Sequence, residues 1–436
     1  MTETAARAPS PDALGLDQAQ SLWHNPDFLK LWAGQTLSGL GNYTTHFALP
    51  TLAILAYNAG SLEVGALRSV RMLPFPVLGL VVGVLVDRVR RRRLLVATDL
   101  VRLLLVAAVP ALFWSGRLAL ATLYVVSLLI GVATVFFQCA YRAYLPSLIP
   151  RAALPEGNQK LTLTDTTAQF VGFSVAGALV QAVGAALTML VDAVSFLVSA
   201  ISLWWIRAEE LPVESSRKGL RTIPGDIWEG MLVARREPIV WATMMALVAL
   251  NFGVAIRDAV LLLYAYRTLH LSPAGMGLVF SLAGVAAVAG SYVSIRLTRR
   301  IGLGPSIATA AAIASISLAS IPLAGHGHPL LVLAALQCVF AMQIPIVNIN
   351  QASYAQAVLP RHMLGRLVGT SMTFTMGAIP AGALVGGLLG ASLGYQSALV
   401  AGGLASGLGA LWLFVGPVFR LRTAPVPRQP GSGVRS

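Results

Sequence analysis

Twelve predominantly apolar stretches of about twenty residues or more follow one another along this chain, separated mostly by short polar gaps. They run near 30–57, 63–86, 94–114, 119–144, 160–182, 185–206, 239–266, 273–297, 304–325, 329–357, 363–390 and 394–417. A helix needs about 20 apolar residues to cross a bilayer's hydrocarbon core. Backbone amides find no water there, so each stretch is expected to be helical. The stretches are too long and too uniformly apolar for the alternating strands of an outer-membrane barrel. Only 11% of the 436 residues are charged, against about 25% in a soluble chain. The expected fold is an all-α integral membrane protein. The net charge of +14 does not point to nucleic acid, because the basic residues sit in gaps between apolar stretches rather than on a polar domain.

Those basic residues orient the chain. Lysine and arginine accumulate in cytoplasmic loops. An even number of spans puts both termini on one side, and that side collects 24 Lys and Arg against two, Arg117 and Arg267, on the other. Five more lie within or at the edge of spans: Lys30, Arg68, Arg71, Arg102 and Arg257. Both termini are therefore expected in the cytoplasm. Residues 1–27 lack the basic start and short apolar run of a cleaved signal peptide and read as a cytoplasmic tail.

The chain also repeats. AGALV at Ala176–Val180 returns at Ala381–Val385, and Pro150–Arg151 returns as Pro360–Arg361, at offsets of 205 and 210 positions. The most polar internal stretch, near 207–238, separates six spans from six. The expectation is two pseudo-symmetric six-helix bundles, 28–206 and 239–417, with a C-terminal tail at 418–436, rocking around a site near the midplane.

Between spans 2 and 3 the chain reads GVLVDRVRRRR, Gly83 to Arg93, with five arginines in six positions behind Asp87. Gly83, Leu85, Asp87, Arg88, Arg91 and Arg92 resemble the loop 2–3 signature of the major facilitator superfamily, G-x-L-x-D-R-x-G-R-R, with Arg90 in place of a glycine. The resemblance implies twelve helices and a cytoplasmic latch between the bundles, in which Asp87 faces a helix N-terminus of the other bundle, such as span 11, and pairs with an arginine. NPDFLKLWAGQTLSGLGNYTTHFALP, GALVQAVGAALTMLVDAVSFLVSA and IWEGMLVARREPIV are similar to the branch that holds the enterobactin exporter and macrolide-efflux proteins. That likeness implies a bacterial cell membrane, export of small organic molecules and proton antiport. The span 5 antiporter motif is partial: Gly172 and Gly177 are present, with Phe173 where proline is expected. Span 11 has Gly377, Pro380, Gly382, Gly386 and Gly387, a pattern for hinging or for close packing. The span 4 arginine of many proton-coupled relatives is absent, since no arginine precedes Arg142.

An ionisable residue inside a span costs about 2.5–3.5 kcal/mol on insertion scales and is a functional candidate by default. Asp99 and Arg102, three apart on span 3, share a face and are grouped with the latch, pairing with each other or with the Asp87 region. Arg68 and Arg71 face a cavity or reach the headgroups. Asp165, Asp258 and His46 are candidates for proton coupling, since a carboxylate among apolar helices can load and release a proton and histidine titrates nearest neutral pH. Asp192 matches a family position and reads as structural. The cavity candidates are Asn42, His46, Arg71, Gln138, Arg257, Gln343, Asn348 and Gln351, with Tyr354 and Phe340 near the span 10 set.

No G-x-x-x-x-G-K-[ST] loop occurs, so direct use of ATP is not expected. Two cysteines and six scattered histidines make no metal or disulfide pattern, so no cofactor is expected. The function expected is a secondary transporter, monomeric, whose partners are a small organic substrate, protons and the lipid bilayer. Uptake of a nutrient or metal chelate is the alternative; a membrane enzyme or sensor is a remote one.

Overall fold

The protein is described by a computed structural model covering residues 22–86, 88–150, 153–208, 210, 225, 231–232, 234–358 and 361–422. Its helices are α1 (Pro26–Tyr57), α2 (Ser61–Met72), α3 (Pro74–Val86), α4 (Arg91–Trp114), α5 (Leu120–Leu148), α6 (Leu154–Val183), α7 (Ala185–Trp204), α8 (Pro238–Leu263), α9 (Pro273–Ile301), α10 (Leu303–Ala319), α11 (Pro329–Val358), α12 (Arg361–Ser392) and α13 (Tyr395–Val415). No strand occurs among the described residues.

Local chemistry sets the helix ends. The Asn25 carboxamide accepts from the backbone N–H of Asp27 and of Phe28, each at 3.0 Å, and its amide donates to Leu148 O at 3.0 Å. Pro26 and Pro273 stand in the first turns of α1 and α9, where the missing N–H costs nothing. Asn58 ends α1 in the left-handed region at φ 49°.

Among the described residues, ten helices are long and apolar enough to cross a membrane by length and composition. The other two crossings depart from that pattern. The second expected span is broken at Leu73 into helices of 12 and 13 residues. Pro74 and Pro76 open α3, and a proline there removes a helix hydrogen bond and bends the chain. The first crossing, α1, carries the polar run Asn42–His46. Two further boundaries differ from expectation. The seventh span continues through a π-helical turn at Tyr264–Thr268. The expected C-terminal tail is fixed where it begins: Val418 is fully buried, and Leu421 O and Arg422 O accept from the backbone N–H of Gly304 and Leu303.

Packing within each half is helix on helix: α1 with α6 and α7, α4 with α5 and α7, then α8 with α12 and α13, and α9 with α11. The buried apolar residues form three clusters. One contains Phe47, Leu67, Val180, Leu261, Met276 and Leu399 and is shared by both halves. The other two are confined to one half each, around Phe28, Val86 and Tyr144, and around Met244, Ile307 and Tyr354. The shared cluster sits at the end of the 58–60 and 264–272 turns, and the separate clusters at the end carrying the termini. The halves are therefore joined at one end and parted at the other.

The join depends on glycine. A Cβ on Gly177 of α6 would stand 2.7 Å from Gly277 Cα of α9, and one on Gly65 of α2 would stand 2.9 Å from Gly387 Cα of α12. No side chain fits at those distances, so the backbones themselves touch. Gly177 and Gly387 lie 210 positions apart, the offset that relates Pro150 to Pro360. Hydroxyls add to the seam: Ser174 bonds Ser281, and Thr51 Oγ1 lies 3.2 Å from Tyr266 Oη. Arg267 donates to Asn58 Oδ1 at 2.7 Å and Ala59 O at 2.9 Å.

Candidate functional site

Between the halves lies a cavity of about 510 Å³, within the size range of pockets that hold drug-sized molecules. Its wall draws on α1, α2, α6, α8, α9 and α11. Prolines inside helices and small residues line the space. Pro50 inside α1 and Pro345 inside α11 both line it, as do Ala283, Gly284 and Ala287 of α9. At the parted end, Asn158, Gln159, Thr162 and Asp165 of α6 and Asn348 and Ser353 of α11 are exposed. Lipid would not accept such a run of polar side chains, so that end of the interface is open to water.

Two surfaces meet in the cavity. One is aromatic: Phe173 and Phe280 lie 5.0 Å apart between ring centroids, with Phe47 at 6.3 Å from Phe280 and His46 at 6.0 Å from Phe173. The phenylalanine standing where the span 5 motif would carry proline is thus part of the wall. The other surface is ionic. Arg68 pairs with Asp258 Oδ2 across the two halves, and Arg257 Nη2 reaches Asp258 Oδ1 at 2.7 Å. Arg257 Nη1 donates to Gln337 Oε1 at 2.9 Å, and its guanidinium lies 4.7 Å from the Phe340 ring centre. Asp258 is thereby gripped by two guanidiniums, a charge-assisted arrangement that is strong where water is scarce. Arg71, one turn from Arg68, makes no ion pair or hydrogen bond with a described residue.

Of the residues expected at the site, His46, Arg71, Arg257, Asp258 and Asn348 line the cavity. Four others do not. Asn42 lies one turn of α1, about 6 Å, nearer the terminal side and is not part of the wall. Gln343 is buried, with its amide turned back to Val339 O at 3.2 Å. Gln351 faces a void of about 10 Å³ inside the second half, beside Thr243 and Leu247. Gln138 is exposed on a separate pocket of about 140 Å³ with Arg142 and Met372. All four share one cause: a polar residue in an apolar span announces a partner without saying on which face. Asp165, next in sequence to the lining residue Thr166, is not itself part of the wall, and Tyr43 Oη donates to its carboxylate at 3.4 Å.

The described contacts of the latch residues fall within the first half. Asp87 lies outside the described residues. Arg102 is paired with Asp99, whose other oxygen accepts from Ser199 Oγ at 2.7 Å, and its guanidinium is sandwiched 4.0 Å from Phe137 and 4.4 Å from Phe196. Every one of these partners belongs to the first half. Arg92 donates to Leu203 O and Trp204 O, and the backbone N–H groups of Arg91 and Arg92 donate to Glu210 at 2.8 and 3.1 Å. These contacts tie α4 to the end of α7 rather than one half to the other. Arg88 is exposed, and a Cβ on Gly83 would meet nothing within 4 Å. Asp192 accepts from Ser195 Oγ at 3.2 Å beneath Gly41 of α1 and does not line the cavity.

The small residues of α6 and α12 divide similarly. Gly172 packs on Tyr43 and Leu40 inside the first half, and Gly382 on Phe252 O inside the second. Gly177 lies across the seam, and a Cβ on Gly377 would stand 3.7 Å from Pro76 Cβ of the other half. Pro380 is buried within α12 without ending it. Glu210, Gln337 and Gln169 were not singled out as site residues. Glu210 carries no signal, since its role depends on the turn that returns it to α4. A glutamine in an apolar span was a signal for the other two.

Residues 31–382 match the profile of the Major Facilitator Superfamily. The multidrug efflux pump Tap of Mycolicibacterium fortuitum is 26% identical over 414 residues, covering 93% of this chain and 98% of Tap. The crystal structure of a bacterial homologue of the iron transporter ferroportin, in an inward-facing state, superposes with a TM-score of 0.73 at 17% identity, covering 89% of this chain and 98% of that one. The nucleoside transporter NupG superposes with a TM-score of 0.67 at 12% identity, covering 89% and 98%. With a fold of paired helical halves and a cavity between them, this chain is a multi-pass membrane transporter, not an enzyme, and it belongs to the Major Facilitator Superfamily.

Proposed function

We propose that the protein exports small organic molecules from the cytoplasm by alternating access, in exchange for protons, as a monomer in a bacterial inner membrane. The observation that carries this reading is the cavity, which is shut by the glycine seam at one end and open to water at the other. The bias of 24 Lys and Arg to two assigns the open end to the cytoplasm. Substrate enters there, the halves rock, and the seam parts to release it. Tap is named a multidrug efflux pump, in keeping with an aromatic wall that accepts varied apolar bodies.

Asp165 and Asp258 divide the coupling role unequally in this reading. Asp258 is held between two arginines and works as the cross-half tie that breaks when the seam opens. Asp165 is exposed at the open end with only a weak tyrosine bond, so it is the one placed to exchange protons. Each charge that moves down a 100 mV potential contributes about 2.3 kcal/mol, enough to sustain a useful gradient of a neutral cargo. The test is uptake of cargo into inside-out vesicles carrying the protein. Energised uptake that a protonophore abolishes, and that Asp165→Asn reduces, is the expected result. Uptake indifferent to the protonophore removes proton exchange; cargo leaving the vesicles under the same gradient removes export.

A further inference from the structure

We propose that the cavity selects organic anions: molecules that join an aromatic or broad apolar body to a carboxylate or sulfonate. This rests on the reading of the cavity as the transport site and names the chemistry it admits.

The wall holds three guanidiniums, Arg68, Arg71 and Arg257, and one carboxylate, Asp258. Two positive charges are left over. His46, within electrostatic range of Arg68 and Arg71, adds no negative one. The remaining polar groups of the wall, on α6 and α11, are the neutral Thr166, Gln169, Gln337 and Asn348. The carboxylates nearby do not reach the space. Asp192 is in range of Arg71 but lies behind α1, and Asp165 is turned to Tyr43 outside the wall.

Hydrogen bonding gives the same sign independently. Arg68 Nε, Arg257 Nε and Gln337 Nε2 are buried and have no acceptor among the described residues. Arg257 and Gln337 are 7% and 2% exposed, so neither can reach bulk water. All three orphaned atoms are donors, so an acceptor is what the site lacks. Arg68 and Arg71 are three residues apart on one helix face, where like charges repel; a shared anion relieves that repulsion. Phe173 and Phe280 stand beside them to take the apolar body. A cation entering this space meets net like charge with no free carboxylate to receive it.

The arrangement also connects cargo to the seam. An acidic group that bonds Arg68 competes with Asp258 for it, and the Arg68–Asp258 pair is a tie between the halves. Binding of an anion therefore loosens the closed end.

The test uses one apolar body with three head groups: 2-naphthoate, its methyl ester and 2-naphthylmethylammonium. Binding to the purified full-length protein is measured by calorimetry against empty micelles, and transport into inside-out vesicles is followed in parallel. Naphthoate is expected to bind about tenfold or more tighter than the other two, the scale of one charge-assisted contact. Arg71→Gln, monodisperse by size exclusion, brings the three within about threefold, and Arg71→Lys restores part of the preference. Equal or tighter binding of the ammonium or the ester overturns the proposal, as does an unchanged preference in Arg71→Gln or the binding of none of the three. Energised vesicle uptake of the ammonium probe alone overturns the anion preference and leaves export standing. Naphthoate bound selectively but carried out of the vesicles overturns export and leaves the preference standing.

Discussion

Two arginine–aspartate groups lie inside this membrane protein, and they do different work. Asp99 and Arg102 are sealed in the first half, their side chains 0% and 1% exposed, with Ser199, Phe137 and Phe196 filling the remaining directions. Arg68, Asp258 and Arg257 face the cavity, with side chains 26%, 15% and 8% exposed, and they join α2 of one half to α8 of the other. The first group is local and lies within one half; the second is long-range and joins the two halves. The pairing chemistry is the same in both. What separates a structural pair from a working one is whether its partners move relative to one another and whether water and cargo reach it.

The largest expected effect is on the sealed pair. Asp99→Ala or Arg102→Ala leaves one buried charge uncompensated, a loss of about 3–5 kcal/mol, and should lower folded yield and melting temperature in detergent. The double change Asp99→Leu with Arg102→Met removes both charges and should recover most of that loss. A single variant that melts like wild type would erase the contrast. Next comes Asp258→Ala. Arg68, its side chain 26% exposed, keeps access to water, so melting should shift less than in Asp99→Ala while vesicle transport falls about tenfold or more. Transport near wild type there would show that the cross-half tie does not take part in the cycle.

The seam offers a finer probe. Gly177→Ala puts a Cβ 2.6 Å from Pro273 O, an overpacking cost of about 1–3 kcal/mol. It should loosen the closed end. In a protein lacking Cys139 and Cys338, Ala59→Cys should then react several times faster with an impermeant maleimide. Labelling at the wild-type rate would show that the seam absorbs the methyl. The smallest effect is expected at Gly83→Ala, where nothing lies within 4 Å of the new methyl. Helix propensity there favours alanine by up to about 1 kcal/mol, so melting should hold or rise slightly. Transport should hold too, unless the motif glycine has a partner in the opposite conformation.

Much of this was legible in the chain order of residues. Hydropathy located the crossings to within a few residues, since lipid demands long apolar helices whatever they later touch. The Asp99–Arg102 pair was legible because a spacing of three on one helix sets the geometry of both partners. The break at Leu73 was not anticipated, although Pro74 and Pro76 were visible, because a proline bends some membrane helices and leaves others, like α12 at Pro380, unbroken. Four of the eight cavity candidates, His46, Arg71, Arg257 and Asn348, reached the wall, while Asn42, Gln138, Gln343 and Gln351 did not. The latch motif was legible as a motif, but its described contacts stay within the first half.

By itself, then, the sequence determined that this chain spans a bilayer many times as helices and which of its loops carry the positive charge. Both follow from local quantities, the transfer of each segment into hydrocarbon and the count of charges at its ends. Only the tertiary structure decided that Arg68 meets Asp258 across 190 positions, that glycine backbones close one end of the cavity, and that the positive charge in its wall exceeds the negative. Those facts depend on rotation and depth of helices that are distant in the chain, and the packing of the two halves sets them together.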